Sequence, residues 1–185
     1  LHSRIAIFFT NPITILVIYI LGLYGLYLTN LFGSLMSSHI GHIAMTTHFL
    51  VSGLLLAYVA IGIDPKPRPL PYWARMILVL AAIILHTFFA VVMMASTTLI
   101  GASWYSLVRP PWLTDPVRDS MLGGQIAWGV GEVPTLIMMI IIGVQWARSD
   151  ERESKRRDRF TGTHGDTEMD DYNAYLSKLN ERADK

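Results

Sequence analysis

The stretch HIGHIAMTTHFLVSGLLLAYVAIGI, residues 39–63, decides how the rest of this sequence is interpreted. It contains no acidic residue, lysine or arginine. Because about 20 apolar residues cross the hydrocarbon core of a bilayer as a helix, the stretch predicts a transmembrane helix. His39, His42 and His48 lie within its first ten residues and are half of the six histidines in the chain. A helix that contacts only lipid needs no imidazole, so we expect these side chains to have a function.

The apolar character continues along the chain to residue 147. Of the 185 residues, 52% are hydrophobic and 16% are charged, and the mean hydropathy is +0.40, which is too apolar for an ordinary soluble domain. Most charged residues follow Trp146. The sequence therefore predicts a membrane domain, residues 1–147, and a solvated tail, residues 148–185. The net charge of +1 gives no indication of a nucleic-acid partner. Because the chain starts at Leu1 rather than Met, we expect a segment of a longer protein.

Four apolar stretches are long enough to span a bilayer. They cover about residues 12–32, 39–63, 72–100 and 121–147. Each must be helical, because lipid offers the backbone no hydrogen-bond partner. The predicted fold is an all-α polytopic membrane helix bundle with four transmembrane helices. Residues 33–38 form a short loop that pairs the first two spans, and the proline-rich residues 64–71 form a non-helical link.

Basic residues outside the spans predict the orientation of the chain in the membrane. Arg109 and Arg118 lie on one side, which we assign to the outside. The larger basic group lies on the other side, so the N-terminus of this chain and the tail are predicted to be cytoplasmic. The residues of that group are Arg4, Lys66, Arg68, Arg75 and the basic side chains of residues 148–159.

The tail has two parts. Residues 148–159 have mixed charge, with Glu151 and Lys155 spaced for a helical ion pair, and are either a solvated anchor or an extension of the fourth helix. Residues from about 166 to 182 place apolar side chains at helical spacing and predict a short cytoplasmic amphipathic helix. Its apolar face must be covered, and we expect it to bind a partner. The residues predicted to make that contact are Tyr172, Tyr175, Leu176 and Leu179.

Three ionisable side chains in three different spans reach a similar depth. At 1.5 Å of rise per residue, His48 lies roughly 13 Å below the outer end of its helix, His86 roughly 18–21 Å and Glu132 roughly 16 Å. Each shares a stripe with other polar residues or methionines. The simplest packing turns the three stripes toward a shared polar interior near the middle of the bilayer.

The chain has no cysteine, so a site for a soft metal must be built from histidine and methionine. Such ligands suit copper, especially Cu(I). Two other chemistries remain open: haem with His48 and His86 as axial ligands, and a proton relay through the histidines and Glu132. Each residue alone is also explained by interhelical hydrogen bonding or packing. The candidate metal ligands are His42, His48, His86, Glu132, Met45, Met93 and Met121.

Several ordered segments resemble the CtaG family of cytochrome c oxidase assembly factors. These segments are IGIDPKPRPLPYWAR, HTFFAVVMMASTTLI, LGGQIAWGVGEVPTL, QWARSDERESKRRDR and DDYNAYLSKL. The resemblance implies a multi-pass membrane protein that helps to make active haem-copper oxidase and is thought to deliver copper to it. His48 in THFL, His86 in HTFF and Glu132 in GEVP match positions of the family's motifs. The family has about seven spans, and actinobacterial members fuse this domain to a CopD-like copper domain. Ser120-Met121 departs from the two glutamines expected before the glycine pair.

The prediction is therefore a membrane assembly factor for haem-copper cytochrome c oxidase that handles or delivers copper. The alternative is a structural accessory subunit of the oxidase or a respiratory supercomplex, in which the interior histidines and Glu132 form hydrogen bonds and hold no metal. The expected partners are oxidase or supercomplex subunits and the lipid bilayer. The sequence has no nucleophile–base pair, phosphate loop or zinc-protease spacing, so we do not expect an enzyme.

Overall fold

The computed structural model describes residues 3–62, 69–164 and 167–183, and the regular elements within those ranges are all helical. This result confirms the predicted all-helical class. A π-helical turn, Leu21–Gly25, directly follows α2. The helices in chain order are α1 (Arg4–Phe9), α2 (Pro12–Ile20), α3 (Leu31–Met36), α4 (His39–Ile61), α5 (Tyr72–Ala95), α6 (Ala102–Val108), α7 (Pro116–His164) and α8 (Thr167–Ala183).

Within the described residues, three helices are long and apolar enough to cross a membrane: α4, α5 and part of α7. The predicted first span differs, because its continuous apolar helix, Pro12–Gly25, is shorter. Thr29 interrupts the predicted span by bonding to the backbone on both sides. Its Oγ1 donates to the Gly25 carbonyl at 2.6 Å and accepts from the Leu31 amide at 3.1 Å. The count of four spans therefore remains a prediction.

Three predicted boundaries need correction. The supposed loop at residues 33–38 is mostly helix, since α3 extends from Leu31 to Met36. The third span ends at Ala95 rather than near residue 100, because Ser96 adopts an extended backbone. The fourth helix starts at Pro116 instead of 121. Asp115 caps that start by accepting from the amides of Val117 and Arg118 at 3.1 and 3.0 Å, and proline is well suited to a first helical position.

The mixed-charge segment, residues 148–159, is an extension of α7, which remains helical to His164. The expected pair of Glu151 and Lys155 is present, with Oε1 and Nζ 2.6 Å apart. Both side chains are well exposed, so the pair contributes little to stability. The tail helix α8 matches the prediction to within one residue at each end.

The buried core joins α2, α4, α5 and α7. Its fully buried side chains include Ile15, Val59, Val79 and Ile142. Alanines of α4 and α5 are fully buried in the same cluster, which lets the helix backbones approach closely. In lipid, this close van der Waals packing holds helices together, because apolar surface gains nothing by leaving the hydrocarbon.

A basic side chain closes the end of α4 that we assign to the cytoplasm. Arg75 is 9% exposed and donates from Nε to the Leu70 carbonyl at 2.8 Å and from NH1 to the Ile61 carbonyl at 3.3 Å. A cation at a helix C-terminus is favoured by the helix dipole. Gly62 follows the helix with a φ of 70°, and an added Cβ there would overlap the Arg75 guanidinium.

The chain divides into two compact units, Leu1–Gly143 and Val144–Lys185. The core and the candidate metal ligands belong to the first unit, and α8 belongs to the second. Lys66 and Arg68, which entered the orientation argument, lie outside the described residues. The orientation therefore remains a prediction.

We predict that Gly62→Ala lowers the free energy of unfolding by about 1–2 kcal/mol, because the left-handed backbone disfavours a Cβ and the Arg75 contact is disturbed. Gly53→Ala is the matched control on the same helix, since nothing lies within 4 Å of its added Cβ. That change should stabilise α4 by up to about 1 kcal/mol. Unfolding in detergent measures both, and equal effects would contradict the assignment.

Candidate functional site

His86 uses both of its ring nitrogens to join three helices. Its Nε2 lies 3.0 Å from the Ala127 carbonyl oxygen of α7, and its Nδ1 lies 3.2 Å from the Tyr19 hydroxyl of α2. A carbonyl only accepts, so Nε2 carries the proton and donates. When the ring carries this proton alone, Nδ1 accepts from the Tyr19 hydroxyl. A metal or haem iron at His86 would have to displace one of these two contacts.

Glu132 lies in α7 with two hydrogen-bond donors on one carboxylate oxygen. Its Oε1 accepts from Thr87 Oγ1 at 2.8 Å and from Trp128 Nε1 at 2.7 Å. Thr87 directly follows His86 in α5, so consecutive residues of α5 bond to neighbouring turns of α7. This arrangement stabilises an acid at membrane depth by hydrogen bonds from neutral groups, which lipid could not supply.

Gly131 makes the approach of α5 and α7 possible. An added Cβ at this position would overlap the imidazole of His86, at 2.7 Å from Cε1. Pro134 lies one turn further along α7, and the helix continues through it. The hydroxyl of Thr135 donates to the Glu132 carbonyl at 2.8 Å and lies 3.2 Å from the Gly131 carbonyl. The Thr135 hydroxyl thus supplies a hydrogen-bond donor to backbone carbonyls near the proline.

His48 lies against the π-helical turn and is not a partner in any hydrogen bond of this network. A Cβ on Gly22 would lie 2.5 Å from His48 Nε2, and the Phe49 ring packs edge-on at 5.6 Å. His48 Nε2 is buried and has no hydrogen-bond partner among the described residues. His48 and Met45 line a cavity of about 320 Å³ between α4, α3 and the π-helical turn. A buried nitrogen without a hydrogen-bond partner carries an energetic cost, which distinguishes His48 from His86.

His42 is exposed and contacts Met36, the last residue of α3. Its Nδ1 lies 3.3 Å from Met36 Sδ. The remaining candidate methionines lie elsewhere. Met93 packs against Gly124 and lines a different cavity of about 250 Å³. Met121 is 40% exposed.

The candidate residues therefore separate into two groups. His86 and Glu132 lie in the network between α2, α5 and α7, whereas His42, Met45 and His48 follow α4. Among the described residues, the structure has no group of three or more His, Asp or Glu side chains that could hold a metal ion. The shared polar interior expected for the stripes of His48, His86 and Glu132 therefore stays a prediction, since His86 and Glu132 bond within one network and His48 has no hydrogen bond to it.

The sequence did not lead us to predict three residues of the network as site residues: Tyr19, Thr87 and Trp128. Two of them carry a signal that could have identified them. Trp128 precedes Glu132 by one helical turn, and Thr87 is adjacent to His86. Tyr19 gives no such signal, because tyrosine is common in an apolar span and its contact depends on how α2 packs against α5.

The apolar face of α8 is exposed, and its predicted contact with a partner stays a prediction. Tyr172 and Tyr175 are 57% and 59% exposed, and Leu176 and Leu179 are 40% and 42% exposed. The structure thus leaves this face uncovered in the described part of the chain.

The order of motifs along these helices matches a known family. The profile described as cytochrome c oxidase caa3 assembly factor (Caa3_CtaG) matches residues 1–149. The chain belongs to the CtaG family. An uncharacterised protein of Mycobacterium bovis is 41% identical over 180 residues, which are 97% of this chain and 27% of that protein. An uncharacterised protein of Mycobacterium leprae is 39% identical over 180 residues, which are again 97% of this chain and 27% of that protein. No solved structure matches the chain.

Membership of the CtaG family confirms the resemblance drawn from the sequence motifs. This CtaG chain spans about a quarter of the length of the curated relatives it matches. The family is described as a cytochrome c oxidase caa3 assembly factor, and three helices of the described residues are long and apolar enough to cross a membrane. The role of this chain, its metal and its partner surface are matters for a proposal.

We predict that His86 of this CtaG chain is neutral with its proton on Nε2. Nitrogen-15 NMR of histidine-labelled protein in detergent should show this tautomer, with the His86 signal assigned from a His86→Gln variant. Tyr19→Phe removes the donor to Nδ1 and should shift the signal of that nitrogen. A proton on Nδ1 in the unmodified chain would contradict the arrangement.

We also predict that Gly131→Ala destabilises the chain by about 1–3 kcal/mol, because its Cβ forces the His86 ring away from α7. Gly129→Ala, on the same helix and with nothing within 4 Å of its added Cβ, should be neutral or stabilising. Thermal unfolding in detergent compares the two. If Gly131→Ala does not lower the stability, α5 and α7 are further apart than described.

Proposed function

We propose that this CtaG chain supports assembly of cytochrome c oxidase in the bacterial inner membrane by handling Cu(I). Two observations carry the proposal: the Nε2 of His48 is buried and has no hydrogen-bond partner among the described residues, and the His48 and Met45 side chains line the same cavity. The family assignment supplies the link to the oxidase. Copper is the cargo in this role, because the chain binds the ion and then releases it.

The chemistry of this group favours Cu(I) over harder metals. Thioether and imidazole are soft and borderline ligands, and the chain has no cysteine to compete with them. A carboxylate would favour a divalent ion, but Glu132 lies in the network of α5 and α7, where its Oε1 accepts from Thr87 and Trp128. We therefore assign the copper role to the α4 residues His42, Met45 and His48.

His86 and Glu132 receive a different role in the proposal. Their hydrogen bonds hold α5 and α7 together, so they position the helices around the core and keep polar groups satisfied in lipid. Met93 and Met121 lie outside both groups, and we propose that their side chains only fill space between the helices. The family assignment suggests a non-catalytic role, which agrees with this division.

We further propose that α8 is the contact for the oxidase on the cytoplasmic side. Its exposed aromatic residues, Tyr172 and Tyr175, are typical of the centres of protein interfaces. Leu176 and Leu179 extend the same apolar face. The alternative of a purely structural accessory subunit would use this surface as well, but it leaves the unbonded nitrogen of His48 without an explanation.

The test replaces the gene for the full-length protein in its own bacterium with single variants. His48→Gln should lower the copper content and activity of the oxidase several-fold, because the amide cannot replace imidazole as a copper ligand. His39→Gln, a histidine on the same helix outside the proposed set, should have no effect. Copper per haem in purified oxidase is the measurement.

Two controls make the result decisive. Immunodetection must show equal amounts of each variant in the membrane, so that lost copper is not lost protein. Normal oxidase copper in the His48→Gln strain, with the variant inserted normally, would overturn the copper role. In that case, a fall in oxidase activity on deletion of the whole gene would support the structural alternative.

A further inference from the structure

The contact between Met36 and His42 lies at the end of α4 that is predicted to face outside. The thioether belongs to the last residue of α3 and the imidazole to the first turn of α4. Their donor atoms, Sδ and Nδ1, are 3.3 Å apart. Met36 was not among the candidate ligands predicted from the sequence, and its contact with His42 depends on the turn between α3 and α4.

The turn between α3 and α4 fixes this contact through the backbone. Ser38 caps α4, with its Oγ accepting from the Gly41 amide at 3.0 Å. An added Cβ on Gly41 would overlap the Leu35 carbonyl oxygen and lie 2.8 Å from the Leu35 Cα. Only glycine permits so close an approach. The two donor side chains are therefore held on adjoining turns before any ligand arrives.

The separation of the two donor atoms suits a shared metal ion. The Nδ1 and Sδ atoms are 3.3 Å apart, so a small displacement of the two side chains would let both bind one metal ion. The same distance also fits a hydrogen bond from Nδ1 to sulfur, which is the competing explanation. Both ligands are neutral, and the sequence has no Asp, Glu, Lys or Arg between Arg4 and Asp64. Such a site suits a soft monovalent ion.

The spacing along α4 connects this pair to the cavity of His48. Met45 is one turn from His42 and His48 is one turn from Met45, each step rotating by about 60° around the helix and rising about 4.5 Å. Met45 therefore lies between the two histidines in both height and direction. His42 is exposed, Met45 is half-buried and the His48 Nε2 is buried, so the three form a graded path inward.

We infer that Met36 and His42 form an outer acceptor site for Cu(I), from which Met45 passes the ion to His48. This inference rests on the proposed function and adds the point at which copper arrives. Each transfer exchanges one neutral ligand for another, so no proton or electron has to move with the ion. The site is selective for Cu(I) because thioether sulfur binds Zn²⁺ poorly.

The test uses the full chain purified in detergent and loaded with Cu(I) against a chelator of known affinity. Copper X-ray absorption of the loaded protein should show sulfur and nitrogen neighbours. Met36→Leu should lower the Cu(I) affinity about tenfold or more and reduce the sulfur signal. Met139→Leu, a methionine of α7 packed against the core, should leave both unchanged. Zn²⁺ should not compete for the site.

The outcomes separate the outer site from the proposed function. Unchanged affinity and an unchanged sulfur signal in Met36→Leu would overturn the outer site and leave a hydrogen bond as its explanation. If His48→Gln still lowers oxidase copper, the proposed function survives that failure. If Met36→Leu lowers Cu(I) binding but neither variant alters the copper of the oxidase, the outer site stands and the delivery role fails.

Discussion

The hydrogen bonds of His86 are the interactions on which the arrangement of the helices depends. A bilayer supplies no donor or acceptor to a polar side chain, so each such group must find its partner within the protein. His86 meets this requirement by joining α2 through Tyr19 and α7 through Ala127. Its neighbour Thr87 adds the bond to Glu132. Packing without these bonds would be weakly directional, because lipid and leucine side chains are alike in polarity.

His48 is the exception to this rule of satisfied polar groups. It lies against the glycine of a π-helical turn, and its buried nitrogen has no partner among the described residues. π-Helical turns inside α-helices occur frequently at functional sites. Two histidines that look equivalent in the sequence thus differ in chemistry. His86 bonds to two neighbouring helices, whereas the buried Nε2 of His48 has no hydrogen-bond partner among the described residues.

The sequence predicted the helices better than their contacts. Length and apolarity identified α4 almost to the residue and α5 apart from its outer end, since both properties follow directly from the thickness of a bilayer. The motifs in the segments around His86 and Glu132 led to the correct family. The early end of the first apolar helix was not predictable, because it depends on Thr29 bonding to the backbone. The separation of His48 from Glu132 depends on how the helices pack in three dimensions, which helical periodicity does not encode.

The neutrality of the side chains along α4 has an electrical consequence. Imidazole and thioether leave the full positive charge on a bound Cu(I), so an ion that moves inward also moves charge through the membrane field. The step from His42 to His48 rises about 9 Å, or roughly a third of a core of about 30 Å. A potential of about 100 mV, negative inside, would then favour the inner position by roughly 0.7 kcal/mol. In the predicted orientation, an energised membrane would draw copper toward His48, and a depolarised one would not.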